Sequence, residues 1–209
     1  MFSVENLKEV KEKEINKLSK DEINNIKFIK VMFGDKSNAN GKGFEYKIGE
    51  INETDNWNPE SEDPKEMGGF NFSVKSKIIR WLVRGDTLYD VIIPEDTEVI
   101  DCKHPSTPHG VFRSNKIILE NPRKVTDEMA MEFYLESDIP EKSYYKAMAG
   151  CAIRGYLNTM QKIFDDKINK DTIDLAIEEI NDFYMPEGAN GENSRRLIKM
   201  LNDYKDANK

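Results

Sequence analysis

The sequence predicts an α+β protein with a small mixed or antiparallel sheet as its core, an N-terminal helix and a C-terminal helical bundle. Residues 68–120 follow the pattern strand, helix, strand, loop, strand. Residues 3–25 carry apolar side chains at helical spacing among Lys and Glu, and helical periods recur after residue 126. The chain is therefore divided into an N-terminal helix (1–25), an α/β core (26–125), a helical subdomain (126–185) and a linker with a terminal amphipathic helix (186–209).

The sheet is predicted from short apolar runs. Residues 26–33 are mostly apolar and end at a Gly-Asp pair, which indicates a buried strand. Residues 44–51 alternate apolar and polar side chains, the pattern of a half-buried strand. Residues 88–93 and 111–119 are further strands, and the Asn-Pro-Arg at 121–123 is predicted to be a turn.

The helices are predicted from periodicity and capping. A helix at 75–84 separates two strands and ends at Gly85, and its periodicity places Lys75, Lys77, Arg80 and Arg84 on the outer face. Thr126, followed by two acidic residues, is a good N-cap for a helix at 129–136. Further helices are predicted at 143–152, 153–167, 172–184 and 194–204.

Composition and charge restrict the function. The 209 residues include 31 Lys and Arg against 39 Asp and Glu, a net charge of −8. Such a surface does not attract phosphate backbones overall, so we expect no direct nucleic-acid binding. No apolar run approaches the ~18 residues of a membrane span, and the N-terminus lacks the order of a signal peptide. Two cysteines make no disulfide framework, which predicts a cytoplasmic protein with reduced thiols.

The stretch before the 75–84 helix reads Gly68-Gly69-Phe70-Asn71-Phe72-Ser73. The glycines permit a sharp turn into a strand, or a loop whose backbone approaches a ligand closely. Both interpretations stay open. A phosphate loop is excluded, because no Lys-Ser or Lys-Thr follows at the required spacing.

The loop at 101–110 has the densest chemistry in the chain, with Cys102, His104 and His109. Cys and His are the usual zinc ligands, so a three-ligand zinc site is one alternative. A nucleophilic cysteine beside a histidine is another. The spacing matches no structural zinc motif and indicates no fourth ligand, so we predict no metal site and a surface loop kinked by prolines.

The order of phrases in residues 26–125 resembles the C-terminal half of the ADP-ribosyltransferase fold. These phrases are Gly-Gly-Phe-Asn-Phe-Ser, a helix, Leu-Tyr-Asp-Val-Ile-Ile-Pro-Glu-Asp, a short strand, a loop and Val-Phe-Arg-Ser-Asn-Lys-Ile-Ile-Leu. The chain also resembles small proteins of low-GC bacteria and phages that share a Gly-Phe-x-Tyr-x-x-Gly phrase, here at 43–49. The resemblance implies an NAD cleft walled by Gly69, Phe70, Phe72 and Ser73. It implies catalytic roles for Lys30, Ser73 and Asn115.

The chain departs from that family at the catalytic glutamate, where it has Arg-Ser-Asn-Lys at 113–116. Lys116 would repel the positive charge that the glutamate normally stabilises. We therefore expect a protein-binding module of phage or mobile-element type without a cofactor. Its partner would be a host defence protein such as a CRISPR nuclease, which it would inhibit. The alternatives are an NAD-dependent mono-ADP-ribosyltransferase or NAD glycosidase, and a small zinc-binding protein. No oligomeric state is predicted.

Overall fold

The computed structural model describes residues 17–37, 43–61, 63–102, 109–184 and 191–208. Most of the predicted N-terminal helix, His104 with most of its loop, and the start of the predicted linker lie outside these residues. Within them the α+β class is confirmed: helices pack on a seven-stranded sheet whose pairs are all antiparallel. None of the described helices combines the length and apolar composition needed to cross a bilayer.

The strands are β1 Phe28–Met32, β2 Ile51–Glu53, β3 Phe70–Val74, β4 Thr87–Ile92, β5 Ile100–Asp101, β6 Val111–Ser114 and β7 Lys116–Lys124. The helices are α1 Lys20–Asn25, α2 Pro64–Met67, α3 Lys75–Ile78, α4 Asp127–Leu135, α5 Glu141–Arg154, α6 Leu157–Lys167, α7 Ile173–Tyr184 and α8 Glu192–Ala207. A 3-10 helix, Ile79–Arg84, continues directly from α3. The strand order is β2-β7-β4-β1-β3-β6-β5, so β1 lies at the centre.

The two faces of the sheet belong to different cores. On one face Ile29, Val31 and Leu88 pack with the helices that follow the sheet. On the other, Phe28 makes edge-to-face contacts with Phe72 and Phe112, with ring centroids 5.1 and 5.0 Å apart. Burial on both faces explains why β1 reads as an almost continuous apolar run.

α1 covers part of the aromatic face. Ser19 and Glu22 form a reciprocal capping box, so the helix begins at Lys20 and the chain just before it is extended. The prediction of one helix through 3–25 is therefore wrong for residues 17–19. Ile23 and Ile26 pack against the aromatic core, as expected for a helix lying on the surface of the sheet.

Two predictions about the sheet are wrong. The strand at 44–51 is replaced by a single bridge at Glu45 and a turn at Gly49, whose φ is +79°, and pairing starts only at Ile51. The turn at 121–123 is instead an irregularity within β7, where Asn121 has a φ of +51°. Pro122 is tolerated because β2 pairs with β7 only as far as Ile118, which leaves one side of this segment as an edge.

The helix predicted at 75–84 is tightened in its second half to a 3-10 helix that ends at Gly85. A Cβ on Gly85 would lie 2.0 Å from the Met32 carbonyl oxygen, so the glycine is needed for close approach to β1. Arg80, which the periodicity placed on the outer face, is only 7% exposed, with its guanidinium over the Trp81 ring.

The helical half follows the predicted order, with its ends shifted by a few residues. α5 ends at Gly155, which has a φ of +80°, and α6 starts at Leu157 rather than at 153. Asp127, in the first turn of α4, accepts hydrogen bonds from the Asn158 and Thr159 amides at 2.8 and 3.0 Å. This carboxylate thereby joins the start of α4 to the start of α6.

Candidate functional site

Lys30 occupies a gap between two central strands. β1 and β3 pair only at Phe28–Val74 and Ile29–Ser73 and separate beyond that point. The Lys30 side chain, 6% exposed, fills the gap. Its Nζ donates to the main-chain and side-chain oxygens of Asn71, at 2.5 and 2.8 Å. The ammonium thus takes the place of main-chain pairing between the strands.

No carboxylate of a described residue forms an ion pair with Lys30. The Tyr46 ring lies beside the ammonium, with its centroid 5.4 Å from Nζ. Burial, and secondarily the positive charge of Arg113, lower the pKa of Lys30 to about 7. The side chain therefore loses its proton near neutral pH.

A cleft of about 50 Å³ opens beside Lys30 on the helix-bearing face. Asn71 and Arg84 at this cleft are exposed, and Trp81 is half-buried. Ser73 is 3% exposed and its hydroxyl donates to the Gly110 carbonyl at 2.6 Å. The cleft is lined by Ile29, Lys30, Val31, Asn71, Phe72, Ser73, Ile78, Trp81, Arg84 and Val111.

Arg113 stands across from Asn71 on β6. Its Nη1 donates to the Gly68 carbonyl at 2.5 Å. Its Nε is buried and has no hydrogen-bond partner among the described residues. Burial lowers the pKa of Arg113, and the nearby Cys102 and Asp63 act in the opposite direction by favouring its positive charge.

The other predicted cofactor residues, Gly69, Phe70 and Phe72, pack closely against neighbouring groups. A Cβ on Gly69, whose φ is +68°, would lie 2.6 Å from the Trp57 ring and 2.7 Å from the Ser114 carbonyl oxygen. Phe70 and Phe72 belong to the aromatic core, and of the two only Phe72 also lines the cleft. The structure therefore brings Lys30, Phe72 and Ser73 together and leaves Gly69 and Phe70 outside.

Asn115 lies apart from this cleft, between β6 and β7. Its carbonyl accepts from the Thr54 amide at 3.1 Å. In the β3–β6 pair, Phe70 lies across from Ser114 and Ser73 lies across from Val111. Asn115 follows Ser114, so it lies past the Phe70 end of the pair, whereas Ser73 is near the other end. The neighbouring Lys116 forms an ion pair with Glu53 at 2.8 Å.

The proposed zinc and thiol ligands are only partly described, since His104 is outside the described residues. Cys102 is 3% exposed, its Sγ lies 3.5 Å from the Met67 sulfur, and burial raises the pKa of its thiol to about 11. His109 instead contacts Asp101, with 3.3 Å between Nδ1 and Oδ2. In the described ranges no three His, Cys, Asp or Glu side chains are grouped to hold a metal.

A larger groove of about 620 Å³ runs between α4 and the strands β1 and β4. It continues into an exposed apolar row. Ile92 of β4 pairs with Ile118 of β7, and Ile118 pairs with Ile51 of β2. Ile51 and Ile92 are 57% and 45% exposed. We call Ile51, Ile118 and Ile92 the isoleucine row. It lies on the helix-bearing face, because Ile92 is at even spacing from Leu88 on β4, whereas Tyr89 and Val91 point to the aromatic core.

The isoleucine row could not be predicted from the sequence, because the three isoleucines are far apart in the chain. Each was assigned to a predicted strand, but neighbouring strands are set by pairing that a single sequence does not show. In comparisons with models of protein families, with curated proteins and with solved structures, nothing matches the chain.

Proposed function

We propose that the protein is a protein-binding module of phage or mobile-element type, with a non-catalytic core that resembles ADP-ribosyltransferases. The observation that carries the proposal is the exposed isoleucine row beside the α4 groove. Contiguous exposed apolar surface usually marks an interaction site. The row therefore serves as the surface on which a partner docks.

The dimensions of the row suit an α-helix. Three isoleucines on adjacent strands span about 10 Å, because neighbouring strands lie about 4.8 Å apart. Apolar residues at i and i+7 of a helix lie about 10 Å apart along its axis. α4 already packs on the adjacent part of the same face, with Met129 and Phe133 at the groove. A partner helix beside α4 would extend the helical layer over β7 and β2.

The charge around the row favours a basic partner helix. Asp90 and Glu120 face each other across β4 and β7, next to the row. Arg123 and Asn121 hold the Asp90 carboxylate at 2.7 and 2.9 Å, whereas Glu120 has no ion pair with a described residue. With a net charge of −8, the protein attracts basic surfaces such as the nucleic-acid clefts of defence nucleases.

A peptide pair tests the docking surface. One helical peptide carries leucines at i, i+3 and i+7 flanked by Lys, and the second carries Glu in place of Lys. We expect fluorescence anisotropy to show binding of the Lys peptide only. Ile51→Asp or Ile92→Asp should weaken that binding at least ~10-fold, since each places a carboxylate in an apolar contact.

The control is Leu135→Asp, which changes a 66% exposed leucine outside the row and should leave binding intact. Equal binding by all variants, or a preference for the Glu peptide, would contradict the proposal. A dimer in sedimentation experiments that Ile51→Asp dissociates would assign the row to a second copy of this chain instead.

The role in host defence has its own test. Cleavage of target DNA by a purified CRISPR nuclease is measured with and without an equimolar amount of the protein. We expect inhibition by the natural protein and restored cleavage with Ile92→Asp. Undiminished cleavage in both reactions would exclude this class of partner while leaving the docking surface open to others.

One observation favours the NAD-dependent transferase or glycosidase as a second candidate: Lys30, Phe72 and Ser73 line the same cleft. The cleft has room for one small group only, and the Ser73 hydroxyl already donates a hydrogen bond to the Gly110 carbonyl. We therefore expect no nicotinamide release when the protein is incubated with NAD. Release that Ser73→Ala and Asn115→Ala abolish would replace the non-catalytic assignment with an enzyme.

A further inference from the structure

We propose that the cleft beside Lys30 binds a small oxyanion, the carboxylate or phosphate group of a ligand, through Lys30, Asn71 and Arg84. This site is separate from the isoleucine row and does not depend on the protein-binding proposal. Three properties of the cleft support it: its donors, its uncompensated charge and its size.

The polar groups around the cleft are mainly donors. The Asn71 amide oxygen accepts from Lys30 Nζ at 2.8 Å. This bond directs the Asn71 NH₂ group away from the ammonium, where it makes no hydrogen bond to a described residue. Arg84 adds a guanidinium at the rim. These groups donate hydrogen bonds, and the oxygen atoms of an oxyanion would accept them.

The positive charges around Asn71 have no salt-bridge partner within the described part of the chain. Lys30, Arg84 and Arg113 form no ion pair with a described residue. Many other cations of this acidic chain are paired, as Lys116 is with Glu53 at 2.8 Å and Lys75 with Glu136 at 2.6 Å. A buried cation without an anion is unfavourable, and a bound oxyanion would relieve that cost.

The size of the cleft selects the ligand group. A volume of about 50 Å³ exceeds the ~10–15 Å³ that holds one water. It therefore accommodates one group of a few heavy atoms, and the remainder of a ligand would lie outside. The half-buried Trp81 ring at the cleft offers an apolar contact for that remainder.

The test uses calorimetric titration of the full chain with inorganic phosphate and, separately, acetate at pH 6. We expect saturable binding of at least one probe. Arg84→Gln should weaken it at least ~10-fold, and Lys30→Met should abolish it. Arg84 is exposed, so its variant carries the test even where Lys30→Met does not fold. The matched control is Lys27→Gln, an exposed lysine just before β1.

A pH series separates the cleft from a surface cation. Acetate keeps its charge between pH 6 and pH 8.5, whereas Lys30 loses its proton, so binding at the cleft should weaken several-fold over this range. Phosphate binding alone identifies a phosphate ligand, and acetate binding alone a carboxylate ligand. Equal affinity in all variants, or no heat with either probe at ~20 mM, would overturn the proposal.

Discussion

Lys30 is held in the sheet by oxygens and an aromatic ring rather than by a carboxylate. This arrangement makes the protonation of one side chain part of the folding equilibrium. A lysine whose pKa is lowered on folding disfavours the folded state while it carries its proton. The penalty is complete below the folded-state value of about 7 and disappears above the ordinary value of the side chain.

Lys30→Met should therefore change how stability depends on pH. Between pH 7 and about 10, the unfolded chain binds a proton at Lys30 that the folded chain does not, so stability of the natural protein rises with pH. Urea unfolding at pH 7 and 9.5 should show the natural protein gaining roughly 3 kcal/mol relative to Lys30→Met. An unchanged difference would contradict the burial of a titrating ammonium, and Lys27→Met serves as the exposed control.

Gly85→Ala should be among the most destabilising single-methyl additions in the chain. The new Cβ would lie 2.0 Å from the Met32 carbonyl oxygen. Neither atom can rotate away, because the oxygen belongs to the main chain and the Cβ is bonded directly to it. We expect a loss above ~3 kcal/mol in urea unfolding. Gly49→Ala is the comparison, because its Cβ meets nothing within 4 Å and only its φ of +79° is strained. That variant should lose about 1 kcal/mol.

At the residue scale the sequence assigned Lys30 and Ser73 to one candidate site but did not indicate their surroundings. Both were selected by resemblance, and the structure places both at one cleft. Arg80 was assigned outward because charged side chains usually are, yet its guanidinium is buried over Trp81. Periodicity within one element does not show which of its charged side chains the rest of the fold covers.

At the scale of elements, local signals were reliable where they act within a few residues. Thr126 caps α4 as predicted, with its side chain accepting from the Met129 amide. The Asn-Pro-Arg segment was misread because its turn chemistry also suits an irregular edge in β7. The strand at 44–51 was misread because alternation of apolar residues also fits a chain that buries only Tyr46 against Phe70.

Asp127→Ala should weaken the contact between α4 and α6. The carboxylate accepts from the Asn158 amide at 2.8 Å and from the Thr159 hydroxyl at 2.7 Å, so its loss leaves donors at the start of α6 without partners. We expect about 1–2 kcal/mol of destabilisation in chemical unfolding. Glu128→Ala, the neighbouring acid, is the control and should cost less than half as much. Similar losses for the two variants would show that Asp127 acts only through its charge.

At the scale of the whole molecule, one core joins the sheet to the helices. Ile29, Val31 and Leu88 belong to the same buried cluster as Tyr145 and Met148 of α5. The division into an α/β core and a helical subdomain, drawn from the pattern of predicted strands and helices, therefore crosses a continuous apolar interior. The sequence predicted most strands and helices of both parts but contained no signal for how they share side chains.

The shared core predicts a single cooperative unfolding transition. Met148→Ala, at a position with 0% exposure, should cost about 2–5 kcal/mol because it leaves a cavity between α5 and its neighbours. Circular dichroism of the helices and fluorescence of Trp57, recorded in a Trp81→Phe background, should shift to the same lower midpoint. Separate midpoints for the two signals would show that sheet and helices unfold independently.

The burial of Cys102 and Cys151 has a practical consequence. They are 3% and 0% exposed, and burial raises the pKa of both thiols, so each is protonated and shielded at neutral pH. A cysteine introduced at the exposed Ile51 would react with maleimide dyes far faster than either native thiol. Single-site fluorophore attachment, and energy-transfer measurements of an approaching helix, are thus feasible without first building a cysteine-free background.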